Sequence, residues 1–131
     1  QILLLLKELQ KELGMALIFV THDIGAATEL ADQIAVMYAG RIVEKADLKT
    51  ILSHPLHPYT EGLFNSIVRF DSKGKPLVAI PGSPPMVGDS NEGCAFAPRC
   101  SYQDKNCFQK NPERILLEST EVACFKPIIH R

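Results

Sequence analysis

The chain opens on Ile2, Leu5, Leu6, Leu9 and Leu13, one apolar stripe at 3.6-residue spacing, which predicts an amphipathic helix. No Ser, Thr, Asp or Asn precedes the stripe to cap its first N–H groups, so the helix reads as one entered part-way, in a chain cut from something longer. Gly14 stands where a left-handed C-terminal cap belongs. The run Met15 to Val20 is wholly apolar and rich in β-formers, as in a strand buried on both faces of a parallel sheet. Asp23 is placed to cap a helix over Ile24 to Ala31. Gln33 to Tyr38 and Arg41 to Glu44 are strand-like segments around Ala39-Gly40, which predicts a hairpin. Asp47 can cap a short helix, Leu48 to Leu52, and a further helix, Tyr59 to Ile67, follows the loop His54-Pro55-Leu56-His57-Pro58. Helices alternating with strands make the expected class α/β.

From about Phe70 the pattern changes. Gly74, Pro76, Pro81, Gly82, Pro84, Pro85 and Gly88 crowd together and the periodicity fades. The expected division is therefore a first region, 1–69, and an irregular extension, 70–131. All four cysteines lie in the extension, which is too poor in aliphatic residues to hold together by burial alone. A covalent or coordinative tie is expected there.

Composition narrows the class. With 131 residues, 46% hydrophobic, 22% charged and a formal net charge of −1, the chain has the make-up of one soluble globular domain and no electrostatic case for nucleic acid. No apolar run approaches the roughly 18 residues of a spanning helix. No basic segment followed by an apolar stretch and cleavage site opens the chain, so a reducing, cytosolic compartment is expected.

Thr21-His22-Asp23 ends the apolar run and begins the next helix, the rim of an α/β sheet where ligands collect. A neutral His22 imidazole there can donate to a phosphate oxygen, or can simply be a polar residue leaving the core. His54 and His57, each beside a proline, read as loop residues rather than metal ligands. Cys94, Cys100, Cys107 and Cys124 are spaced C-x5-C-x6-C-x16-C. The lack of a C-x2-C pair weakens a zinc ribbon, although four thiolates can still bind zinc, and a cytosolic location disfavours two disulfides. Spacing alone leaves metal and no metal evenly matched.

Longer stretches carry a resemblance. Residues 14–44, GMALIFVTHDIGAATELADQIAVMYAGRIVE, resemble the segment after the Walker B motif in ABC-transporter ATPases. Residues 54–68, HPLHPYTEGLFNSIV, and 80–86, IPGSPPM, resemble the extension that follows the ATPase core in oligopeptide and dipeptide importers. Lys45-Ala46-Asp47 departs from relatives, which commonly have a glycine after the hairpin.

The resemblance implies the C-terminal part of a P-loop ABC ATPase core, with His22 as the switch histidine that contacts the γ-phosphate of ATP. CAFAPRCSYQDKNC, followed by ACFKP, is similar to the cysteine-rich end of these proteins, which implies a [4Fe-4S] cluster on Cys94, Cys100, Cys107 and Cys124, with zinc as the alternative. Arg99 would then offset cluster charge or face solvent. The G-x-x-x-x-G-K-[ST] loop, the LSGGQ-like signature and the Walker B acids are not in this sequence, so ATP and Mg²⁺ belong to a full-length protein and the piece alone should not hydrolyse ATP. The implied partners are a second ATP-binding subunit, membrane permease subunits and, indirectly, a peptide-binding protein, at the cytoplasmic face of the membrane. Nickel importers have similar ATPases. A free-standing metal- or iron–sulfur-binding interaction module is the competing reading, and a non-hydrolysing ABC regulatory protein a weaker third.

Overall fold

A computed structural model describes residues 1–66, 79–86 and 92–130. Helix α1, Ile2–Leu13, follows the apolar stripe; Gln1 provides no side-chain cap, and Gly14 closes the helix at φ 60°. Helix α2, Ile24–Leu30, starts on the Asp23 carboxylate, which accepts from the N–H of Ala26 at 3.1 Å. Between them the strand expected over Met15 to Val20 is not formed. Ile18 is 92% and Val20 87% exposed, and no neighbouring strand is present among the described residues to take up their backbone groups.

The sheet that does form is antiparallel, in the order β1-β2-β4-β3, and the parallel sheet expected around Met15 to Val20 is not formed among the described residues. Strand β1, Gln33–Tyr38, and β2, Arg41–Asp47, make the predicted hairpin. Both turn residues, Ala39 and Gly40, take positive φ, as the twist-matched two-residue turn requires. Strand β2 continues three residues past its expected end, through Lys45-Ala46-Asp47, because Gln33, Ile34 and Ala35 pair with those residues. A register shift between Val36 and Met37 marks a bulge.

Helix α3, Leu48–Ser53, is capped by Asp47, which accepts from the N–H of Thr50 at 3.0 Å. Helix α4, Pro58–Asn65, is capped by His57. The expected end of α4 at Ile67 and the expected boundary near Phe70 lie outside the described residues.

The cysteine-bearing part is more regular than its sequence promised. It contains a 3-10 turn, Ala97–Arg99, helix α5, Lys105–Gln109, and a hairpin of β3, Ile115–Leu117, with β4, Thr120–Val122. Strand β4 pairs with β2 through Glu44 and Val122, so the first region and the extension share one sheet. The core lies at this junction: Val36, Tyr38, Val43, Ala46, Ile51 and Phe96 are buried together. Phe96 brings the cysteine segment into that core, its ring 5.3 Å from those of both Tyr38 and Tyr59. Burial therefore contributes to holding the extension, beside whatever tie the cysteines supply.

Candidate functional site

All four cysteines are free thiols, and all four line one small cavity with walls almost wholly of carbon and sulfur. Residues up to 30 positions apart are gathered by short local devices. Cys94 precedes the 3-10 turn and Cys100 ends it. Cys107 sits within α5, started by Asp104, whose Oδ1 accepts from the N–H of Asn106 at 2.9 Å. Cys124 follows β4, and Lys126 ties it to α5 by an ion pair with Asp104 at 3.0 Å.

Gly93 makes the closest approach possible. The N–H of Cys94 donates to the carbonyl of Cys107 at 2.8 Å, and a methyl group at Gly93 would fall 2.7 Å from the carbonyl oxygen of Phe108, inside contact distance. Only a residue without Cβ lets the two cysteine segments meet this way. Sequence reading had no means of singling out this glycine, because φ and spacing say nothing of a distant backbone.

The sulfurs are prepared electrostatically as a group. The N–H of Lys126 donates to the Cys124 sulfur at 3.3 Å, and backbone N–H groups of Phe96 and Ala97 are oriented toward Cys94 and that of Tyr102 toward Cys100. Burial nonetheless pushes the Cys94 and Cys100 thiols up, and that of Cys124 to about 11, with the neighbouring thiols adding repulsion. A bound cation would offset the burial that keeps the Cys94, Cys100 and Cys124 thiols protonated. Among the described residues, no three His, Cys, Asp or Glu side chains are grouped so as to hold a single metal ion.

His57 also borders the cavity. The residue is 1% exposed, and its Nδ1 accepts from the N–H of Tyr59 at 3.0 Å, so the neutral ring carries its proton on Nε2. Burial lowers its pKa to about 4. The N–H of His57 and that of Leu56 donate to the Glu44 carboxylate at 2.9 and 2.7 Å, and Glu44 is fully buried on β2. The loop that reads as ordinary in sequence is thus fastened by the backbone N–H groups of Leu56 and His57 on one side and by the His57 Nδ1 on the other. His54 stays apart from the cavity, bonded to the Ser53 hydroxyl at 2.8 Å.

Arg99 neither faces solvent freely nor points to the sulfurs. Its guanidinium donates to the carbonyls of Pro81 at 2.8 Å and Ile80 at 3.2 Å and to the Tyr38 hydroxyl at 3.2 Å, clamping the segment 80–82 to the sheet. A larger open groove, about 620 Å³, runs between the β1–β2 hairpin and residues 111–114 and reaches only Cys94 among the thiols.

His22 is exposed just before α2. Its neighbours shape the turn, since the N–H of Asp23 donates to the Thr21 hydroxyl at 2.9 Å. It shares no hydrogen bond, ring contact or cavity with the cysteines among the described residues. No described helix is long and apolar enough to cross a membrane.

Comparison with known proteins agrees with both ends of the chain. Residues 43–107 match the family described as the oligopeptide/dipeptide transporter C-terminal region. The dipeptide transport ATP-binding protein DppD of Caldanaerobacter subterraneus subsp. tengcongensis is 47% identical over 94% of this chain and 38% of its own length. The oligopeptide transport ATP-binding protein OppD of Salmonella typhimurium is 39% identical over 98% of the chain and 38% of its own length. That of Haemophilus influenzae is 44% identical over 82% of the chain and 33% of its own length. The chain thus spans little more than a third of the relatives it matches, and it belongs to the family of oligopeptide/dipeptide transport ATP-binding proteins, whose C-terminal region it carries.

Proposed function

We propose that this chain is the C-terminal part of the subunit that powers import of oligopeptides or dipeptides by an ABC transporter, with His22 contacting the γ-phosphate of ATP. The observation that carries the reading is the similarity over nearly the whole chain to DppD and OppD, both named as transport ATP-binding proteins. The exposed imidazole at the start of α2 suits that role: the turn that carries it is fixed by the Asp23 N–H on the Thr21 hydroxyl and the Ala26 N–H on the Asp23 carboxylate, and the ring is open to a ligand from outside. The ATP site itself needs the P-loop, signature and Walker B residues of a full-length protein, and the strand partners of residues 15–20 belong to the same P-loop core. Two such subunits close around ATP and transmit the closure to permease subunits at the cytoplasmic face of the membrane. His22 couples the presence of the terminal phosphate to that closed state. In the full-length protein, His22→Ala should lower ATP turnover by at least about tenfold, about 1.4 kcal/mol in the barrier, while nucleotide affinity stays within a few-fold. Unchanged turnover removes the assigned role.

We further propose, from the family resemblance of the cysteine-rich end, that Cys94, Cys100, Cys107 and Cys124 hold an iron–sulfur cluster, with zinc as the alternative. What supports it is that all four thiols line one cavity and that backbone N–H groups attend three of them. When bound, a [4Fe-4S] group supplies one iron–sulfur bond to each of four chain segments and serves as a structural tie. Protein purified without oxygen should be brown and carry about four irons. Stoichiometric zinc without iron overturns the cluster and leaves the transporter reading standing.

A further inference from the structure

Three stretches that lie far apart in the sequence meet at one guanidinium. Arg99 ends the 3-10 turn between Cys94 and Cys100, which is fixed by the N–H of Ala97 on the Cys94 carbonyl at 3.0 Å and the N–H of Cys100 on the Ala97 carbonyl at 3.1 Å. Phe96 and Ala97 of that turn are buried, so its backbone has a firm seat. Segment 80–82 has no such seat of its own. Pro81 has no N–H to donate, and residues 81–84 are exposed. Among the described residues, the only hydrogen bonds to residues 80–82 are those that Arg99 gives to the carbonyls of Ile80 and Pro81. The Ile80 side chain adds an apolar contact: it packs against the buried core cluster and fills the notch left by Gly62 on α4, where a Cβ would fall 3.0 Å from Ile80 Cγ1.

We propose that Arg99 makes the Cys94–Cys100 turn the latch of a strap, residues 80–82, which lies closed over the Gly62 notch while the turn stands and opens when the turn gives way. The shape of the guanidinium favours this. Its Nε and one Nη reach two successive carbonyls while the other Nη reaches the Tyr38 hydroxyl on β1, so one rigid plane sets strap, turn and hairpin relative to one another. The turn in its place depends on its cysteines. Their thiols share one small cavity with Phe96 and Ala97 of the turn itself, and Cys107, Cys124 and Phe125 supply other parts of its wall. A change that breaks this packing loosens the turn, and Arg99 carries the displacement to the strap. Opening bares the Gly62 notch and releases the Tyr38 hydroxyl, so the strap is a movable cover whose position follows the condition of the cysteine turn. The proposal stands on the packing of the thiols and does not depend on what they bind.

The test uses full-length protein with ¹³C-labelled isoleucine methyl groups, read by NMR. The Ile80 δ1 resonance, identified by its loss in Ile80→Val, reports the strap, because a methyl packed against an aromatic cluster resonates away from its free position. Ile51, fully buried, reports the core. Arg99→Met keeps an unbranched stem and deletes the fork. In that variant the Ile80 signal should move toward the free position, with the ratio of open to closed strap raised at least about tenfold, while Ile51 stays in place. Arg99→Lys keeps the charge without the planar fork and should behave as Met does. An Ile80 signal at its wild-type position in either variant overturns the proposal. Replacing both turn cysteines, Cys94→Ser with Cys100→Ser, sets two hydroxyls against walls of carbon and sulfur and should open the strap as well. Added to Arg99→Met, that pair should raise the open fraction by less than about a further twofold, since both changes act through one residue. An Ile80 signal that the cysteine pair leaves unmoved, or a larger increment in the combined variant, overturns the latch. Should the variants lose the core, wild-type protein decides. With ¹⁵N-labelled arginine, the Arg99 Nε–H should exchange with water at least about tenfold more slowly than in a denatured control, and equal exchange overturns the proposal.

Discussion

Glu44 and His57 are the two buried polar side chains on which the junction turns, and burial pushes their protonation in ways that oppose each other in acid. Desolvation raises the Glu44 carboxyl above the ordinary carboxylate range, against the two backbone N–H groups that favour its charged form. Its favourable contribution is therefore present at low pH and is lost as pH rises through the folded value. Burial lowers His57 from 6.5 to about 4, so its contribution is full above pH 6.5 and is lost as pH falls toward 4. The shift amounts to about 3 to 4 kcal/mol at most, since each unit corresponds to about 1.4 kcal/mol. Denaturant unfolding across pH 7 to 4 should show stability falling, with His57→Asn flattening the fall and Glu44→Gln steepening it. A wild-type profile that His57→Asn leaves unaltered would show that the ring is not buried neutral.

At the scale of elements, the cysteine site is built from three short pieces that individually have little intrinsic stability: a 3-10 turn, the five-residue helix α5 and the end of β4. Their agreement depends on close backbone approach. A Cβ at Gly93 would meet the carbonyl of Cys107 and the backbone of Phe108 well inside contact distance, and backbone atoms cannot move aside as a flexible side chain can. Gly93→Ala is expected to separate Cys94 from α5 and to abolish metal loading, measured as metal per chain, while the β1–β2 hairpin persists by circular dichroism. Normal loading in that variant would mean the segments meet by another route. Phe96 anchors the same turn from the opposite side, buried against Tyr38 and Tyr59, which is why a sequence so poor in aliphatic residues has a core to join.

For the molecule as a whole, the contrast lies between the sheet, packed on both sides of β2, and the first 23 residues, which bury no side chain fully. Met15 to Val20 has a strand's composition but exposes Ile18, Phe19 and Val20, because a strand buried on both faces exists only with neighbours to accept its backbone and cover its side chains. Amide hydrogen exchange should find residues 15–20 unprotected in this piece and strongly protected in a full-length protein, by at least about a hundredfold. Equal, fast exchange in both would remove the proposal that the segment lies inside an ATPase core. The hairpin residues should be protected in either case.

The reach of the sequence follows from the range of the forces involved. Caps, turns and apolar periodicity act over a few residues, so α1, Gly14, the Asp23 and Asp47 caps, α2, α3 and the β1–β2 hairpin were all legible from residue order, as was the family, from stretches long enough to be specific. The four cysteines were legible as a set, though not their shared cavity. Only the tertiary structure decided that β4 would close on β2, that Glu44 and His57 would be buried at that seam, that Arg99 would clamp residues 80–82, and that Gly93 would have to lack a side chain. Each of these depends on atoms brought together from distant parts of the chain, where desolvation and steric contact act and local pattern carries no record of them.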